Sequence, residues 1–300
     1  MRVVSLFPAA TEIVATLGAG GNLAAISHEC DFPLSVQHLP RVTTTPVNNS
    51  APGGAIDVQV RALCAAGTPV IAVDAARLRS LMPIDLIITQ GLCEVCAVAD
   101  GEVHRLAELL QPAPTVLSLS AHDLNGIWED IRRVGRAVDA ADDAEELVLG
   151  LQWRLGRIPQ QAHHRVSQAI SIPRVICIEW LDPLFLAGHW VPDLVHAAGG
   201  EDVGAEPGKP SRQASWDEIE RLRPNLVIVS LCGFDVERAG RELAQLESPQ
   251  AARFLSSVPT WILDGNAYTS RPGPRVVDGA ERLHAAMLGV AMPGLIRWRD

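Results

Sequence analysis

The chain has 300 residues, 48% of them hydrophobic and 20% charged, with a formal net charge of -10. That length suits two domains rather than one small core, and the acidic balance argues against nucleic acid or an anionic membrane as partner, since phosphates require a basic surface. No apolar run reaches the ~18–20 residues of a membrane span.

The first half alternates short strands and helices. Val3–Phe7 is a β-branched, apolar run closed by Pro8. Thr11 to Leu17 carries Ile13, Val14 and Leu17 at helical spacing, and Gly18 and Gly20 supply a stop. A strand is expected over Leu23–Ser27, followed by a polar, Pro/Gly-rich loop from Pro40 to Gly54. The pattern then predicts a helix over Ile56–Ala66, strands over Pro69–Val73 and Ile84–Thr89, and a helix over Val103–Leu110. Strands separated by helices imply parallel pairing and an α/β layer fold.

The middle reads differently. Ser120 to Asp123 has the form of a capping box, and Leu124, Ile127, Ile131, Val134 and Val138 then fall on one helical face. A second helix is expected from Asp143 through Leu147, Leu151, Leu155 and Ile158, ending near Pro159. Ser120–Gln160 is therefore expected to be a helical connector. After it the order of the first half recurs. Arg174 to Ile178 echoes Arg2 to Leu6, and Pro224 to Val229 echoes Pro83 to Ile88, each of the later pair running into a loop with a cysteine, Cys232 and Cys93. The expected organisation is an N-terminal α/β lobe over 1–118, a connector over 119–171 and a C-terminal α/β lobe over 172–300, with the connector acting as a rigid helix.

The segments Ser5-Leu6-Phe7-Pro8-Ala9-Ala10-Thr11-Glu12 and His28-Glu29-Cys30-Asp31-Phe32-Pro33, the Pro83–Thr89 strand, the connector and the Ser215–Val229 unit occur in an order that resembles the helical-backbone, class III, solute-binding proteins of ABC importers. These are the receptors of vitamin B12 and ferric siderophores, and the resemblance covers nearly the whole chain. It is closest to a cobalamin-binding branch, through His28-Glu29-Cys30, Cys93-Glu94-Val95-Cys96, Glu179-Trp180 and Gly188-His189-Trp190. It implies two sheet-and-helix lobes with a ligand cleft between them, a corrinoid or other metal chelate as ligand, and an importer permease as partner. The implied protein is a carrier, not an enzyme. By lining up helix starts, the resemblance also places Asp100 and Asp217 where importer-binding members dock on their membrane partner; the commoner role of Asp at such places is a helix N-cap.

In α/β sheets ligands bind beyond the carboxyl ends of the strands. The loops predicted there carry His28, Glu29, Cys30, Cys93, Glu94, Cys96, Glu179, Trp180, His189, Trp190, Cys232, Phe234 and Arg271. Trp180 and Trp190 offer flat faces to a macrocycle such as corrin. His28 and His189 are candidates for an axial nitrogen to cobalt or iron, against the commoner role of a hydrogen-bonding histidine. Glu179 suits ligand amides, and Arg271 suits a carboxylate or phosphate or else caps its Pro/Gly loop. Cys93 and Cys96 have the spacing for a shared zinc or iron completed by His28 or Cys30, for a redox couple, or for plain buried packing. Cys64 and Cys177 are expected in the core, as are Trp128, Trp153 and Trp261.

A cytoplasmic metalloprotein or metalloenzyme built on His28, Cys30, Cys93 and Cys96 is the competing reading. Against catalysis, there is no Ser-His-Asp elbow, phosphate loop or dinucleotide fingerprint, because Gly18 to Gly21 follow a helix. The apolar start is too short for a secretion signal. The expected location is the cytoplasm for the sequence as it stands, where an intracellular corrinoid carrier or sensor also fits, and the periplasm or cell surface for a processed form.

Overall fold

The computed structural model describes residues 1–92, 98, 100–163 and 172–299. They divide into two compact units, one of 1–51, 55–121 and 125–149, the other of 52–54, 122–124 and 150–300.

The first unit is built on β1 (Val3–Ser5), β2 (Leu23–Ala25), β3 (Thr43–Thr44), β4 (Ala72–Val73), β5 (Leu86–Gln90) and β6 (Thr115–Leu119). Its main sheet has the order β2-β1-β5-β6, and all its pairings are parallel, as the βα alternation implies. The small β3–β4 pair is antiparallel. Helices α1 (Pro8–Thr16), α2 (Gly53–Ala65), α3 (Ala75–Ser80) and α4 (Asp100–Glu108) supply the layers. Val3, Val4, Ile87, Ile88 and Ile13 are fully buried; removing such a side chain from water contributes about 1.5–3 kcal/mol.

The predicted connector holds two helices, α5 (Leu124–Ala137) and α6 (Ala141–His163), as its two apolar stripes imply. The chain turns at Asp139, whose φ is 59°, and α6 continues past Pro159 to His163. The amides ahead of α5 are not satisfied by Ser120. Asp130, reaching back from inside α5, accepts from the N–H groups of Ser120 and Ala121 at 2.9 Å each. Gly135 lets α5 and α6 approach closely, since a Cβ there would stand 2.3 Å from that of Ala144.

The second unit holds β7 (Arg174–Leu181), β8 (Leu184–Leu186), β9 (Glu201–Asp202), β10 (Arg212–Gln213), β11 (Leu226–Val229), β12 (Thr260–Leu263) and β13 (Leu295–Arg297). Parallel pairs β7–β11 and β11–β12 form its centre, while β8, β10 and β13 add antiparallel edges. It is therefore a mixed sheet, and the repeat of the first half is confined to its parallel core. The helices are α7 (Val191–Ala197), α8 (Trp216–Leu222), α9 (Val236–Ala244), α10 (Pro249–Ser257), α11 (Gly265–Tyr268) and α12 (Val276–Met287). Ile176, Ile178, Ile228, Ile262 and Val277 are fully buried. The later part of α6 is tied to α12 by Arg154, which donates to Asp278 at 2.6 Å and to Glu281 at 2.8 Å. Among the described residues, no helix is long and apolar enough to cross a membrane.

Two packing expectations are corrected. Cys64, although on α2, is exposed, whereas Cys177 on β7 is buried as expected. Trp153 is 62% exposed on α6, with the Arg157 guanidinium 4.6 Å from its ring centre; Trp128 and Trp261 are in the core.

Candidate functional site

In the first unit the loop after β2 is held by side chains that come from elsewhere in the chain. One guanidinium nitrogen of Arg41 donates to the carbonyls of Ser27 at 2.9 Å, His28 at 3.2 Å and Cys30 at 2.5 Å. Thr43 Oγ1 accepts the His28 backbone N–H at 2.9 Å and lies 2.7 Å from His28 Nδ1. The other ring nitrogen, Nε2, is buried without a partner. Burial, and secondarily the Arg41 charge, hold the His28 pKa below its ordinary value, so the neutral imidazole is favoured. Neutral imidazole is the form that binds metals. Arg41 and Thr43 were not singled out in the sequence, because they lie where only a polar loop is predicted.

Cys30 faces the other way. Its Sγ is 3.0 Å from Thr11 Oγ1 and 3.4 Å from Ser27 Oγ, and Thr11 in turn donates to Ser5 Oγ at 2.8 Å. These are interior polar contacts at the carboxyl ends of β1 and β2, and Cys30 is fully buried. Glu29 is exposed. Cys93, Glu94 and Cys96 lie outside the described residues. Among the described residues no three His, Cys, Asp or Glu side chains converge as a metal site, so the expected zinc or iron cluster has no support in them.

In the second unit the carboxyl ends of β7 and β11 form one surface. Trp180 is half-buried, its indole N–H donating to the Asp182 carbonyl at 3.1 Å. Its ring meets that of Phe234 at 5.2 Å between centroids, inclined by 57°, within the range of favourable aromatic pairs. The Arg238 guanidinium stands 3.6 Å over Phe234. The Cys232 N–H donates to the Glu179 carbonyl at 3.0 Å, which ties the two strand ends together, and its thiol is exposed. Gly265 keeps the neighbouring loop close, because a Cβ there would come 2.1 Å from the Leu231 carbonyl oxygen.

Three residues expected to contact ligand are buried, Phe234 at 4% exposure among them. Trp190 is only 5% exposed and its indole N–H donates to the Thr269 carbonyl at 2.9 Å, so its faces are covered. Arg271 is 6% exposed and donates to Asn266 Oδ1 at 2.7 Å; it braces the loop after α11. His189 is half-buried in the turn before α7. Asp100 pairs with Ser118 and, at 3.6 Å, with His104. Asp217 is exposed near the start of α8, where Ser215 rather than Asp217 is the N-cap.

Comparison with known proteins agrees with this architecture. The chain is 23% identical over 286 residues to the vitamin B12-binding protein of Pectobacterium atrosepticum, covering 94% of this chain and 86% of that one. It is likewise 23% identical over 287 residues to a vitamin B12-binding protein of Vibrio cholerae, with 94% and 87% covered. A periplasmic heme-binding protein from Pseudomonas aeruginosa superposes with a TM-score of 0.72 at 20% identity, covering 100% and 98%. The periplasmic vitamin B12-binding protein of Vibrio cholerae does so with a TM-score of 0.63 at 20% identity, covering 96% of each chain. The family model described as periplasmic binding protein matches residues 95–262, over half of the length, and the chain belongs to that family.

Proposed function

We propose that this protein is the solute receptor of an ABC importer and that its solute is a corrinoid of the vitamin B12 type. The observation that carries the choice of ligand is the half-buried Trp180 ring at the carboxyl end of β7, packed on the buried Phe234 over which Arg238 stands. A half-buried indole braced at its N–H leaves apolar ring surface for a flat macrocycle, and the guanidinium suits the carboxamide and phosphate groups at a corrinoid's rim. Full-length relatives that are named for vitamin B12 support the same choice. His28, with neutral imidazole and an unpartnered Nε2, is the proposed contact from the first unit. Asp100 and Asp217 remain the proposed docking points for the permease, and the expected lobe boundaries of 118 and 172 the proposed limits of two lobes.

The test is titration with cobalamin, cobinamide, heme and a ferric siderophore, followed by calorimetry and absorbance. Saturable binding of the first two is expected. Binding of heme or the siderophore with no heat or spectral change from either corrinoid would overturn the choice of ligand.

A further inference from the structure

Away from the Trp180 surface, the second unit brings two histidines together. Residues His122–Leu124 belong to this unit, and the Leu124 N–H donates to Asp193 Oδ2 at 3.1 Å, fixing the segment against the first turn of α7. This places the His122 ring 6.0 Å, centre to centre, from that of His189.

The His189 backbone is held on both sides. Its N–H donates to the Lys209 carbonyl at 2.6 Å, and its own carbonyl accepts from Gly208 at 2.9 Å. Gly188 before it has no room for a Cβ, which would sit 2.5 Å from the Lys209 oxygen. The residue is kept at φ 53°, a left-handed conformation uncommon for a side chain other than Gly, Asn or Asp, though His is among those enriched there. Backbone outliers of this kind cluster at functional positions. Its Nδ1 is buried, with no hydrogen-bond partner.

A metal about 2.0–2.1 Å from a ring nitrogen lies about 3.2 Å from that ring's centre, so two imidazoles on one ion have centres at most about 6.4 Å apart. The observed spacing falls inside that limit. His122 is exposed, so its ring can turn to close the angle. We propose that His122 and His189 together bind a late first-row divalent cation, with water completing its coordination. Imidazole favours copper, nickel and zinc over magnesium or calcium. Among the described residues no third His, Cys, Asp or Glu converges there, which sets the pair apart from a closed structural zinc centre.

The experiment is equilibrium dialysis of the full chain against zinc or nickel chloride, in a Cys93→Ser/Cys96→Ser background so that thiolates do not compete. One ion per chain at micromolar concentration is expected. His122→Ala and His189→Asn should each weaken binding at least tenfold. His122 is exposed and Asn accepts a positive φ, so both variants should melt as the parent does. Cobalt(II) added in place of zinc should give imidazole-type visible bands that either substitution removes. Absence of binding in the parent, or affinity unchanged by either substitution, would overturn the proposal. Corrinoid binding is read separately, so failure here leaves the proposed function intact.

Discussion

Replacing Asp202 by Asn should change how stability depends on pH. Asp202 ends β9, and its Oδ1 accepts from the N–H groups of Gly204 at 2.8 Å and Ala205 at 3.0 Å, while Oδ2 is buried without a partner. Burial raises its pKa from 3.8 to about 6, against the opposing pull of the two amides and Arg212. At about 1.4 kcal/mol per tenfold change in acidity, the difference is worth about 3 kcal/mol. The sign follows from which form the fold prefers. The folded protein holds the proton more tightly than the unfolded chain, so this contribution is complete below pH 3.8 and is lost as pH rises through 6. Above that, a buried carboxylate lacks a partner on one oxygen. An Asn keeps the oxygen facing Gly204 and Ala205 but never ionises. Its NH2 group lacks an acceptor and costs about 1–3 kcal/mol, equally at every pH. The assay is urea unfolding of both proteins from pH 4 to pH 8. Relative to the parent, the Asn protein should gain about 2–3 kcal/mol over that range, whatever its offset at pH 4. Parallel stability curves would show that the Asp202 carboxyl is not held neutral by burial, and the reasoning would fail.

Other consequences can be checked with similar economy. Gly265→Ala forces a Cβ to 2.1 Å from the Leu231 oxygen, so the loops after β11 and β12 must separate; a loss of about 2–4 kcal/mol is expected in chemical unfolding. Trp180→Ala removes an aromatic pair worth about 0.5–1.5 kcal/mol beyond buried area, and cobalamin affinity measured by calorimetry should fall at least several-fold. Among the described cysteines, mass spectrometry after brief alkylation should find Cys64 and Cys232 modified. Cys177, buried and with its pKa raised by desolvation and secondarily by Asp202, should react only after unfolding. Should Cys93 and Cys96 contact the solute or a metal, their labelling should be fast in the free protein and blocked by cobalamin or zinc.

Much of this protein could be read from its residues in order. Apolar runs such as Val3 to Leu6 and Leu226 to Val229, each followed by a helical stretch, determine parallel strands, because a parallel neighbour can be reached only by a crossover. The spacing of Ile127, Ile131 and Val134 likewise determines a one-faced helix, and all three are buried. The order of such segments along nearly the whole chain was enough to place it in its family.

What tertiary structure decided was the use of each side chain. Trp180 and Trp190 flank one loop and look equivalent in sequence. Only the docking of α7 beneath Thr269 covers Trp190, leaving Trp180 half-buried beside Phe234. Cys64 and Cys177 both sit in regular elements, yet the helix face of one is open and the strand of the other is central. Arg41 reads as a loop charge until the fold folds three carbonyls around it, and His122 meets His189 across 67 positions of sequence. Local sequence sets periodicity, since that depends on neighbours a few residues away. Burial and pairing depend on partners distant in the chain, which only the packed structure brings together.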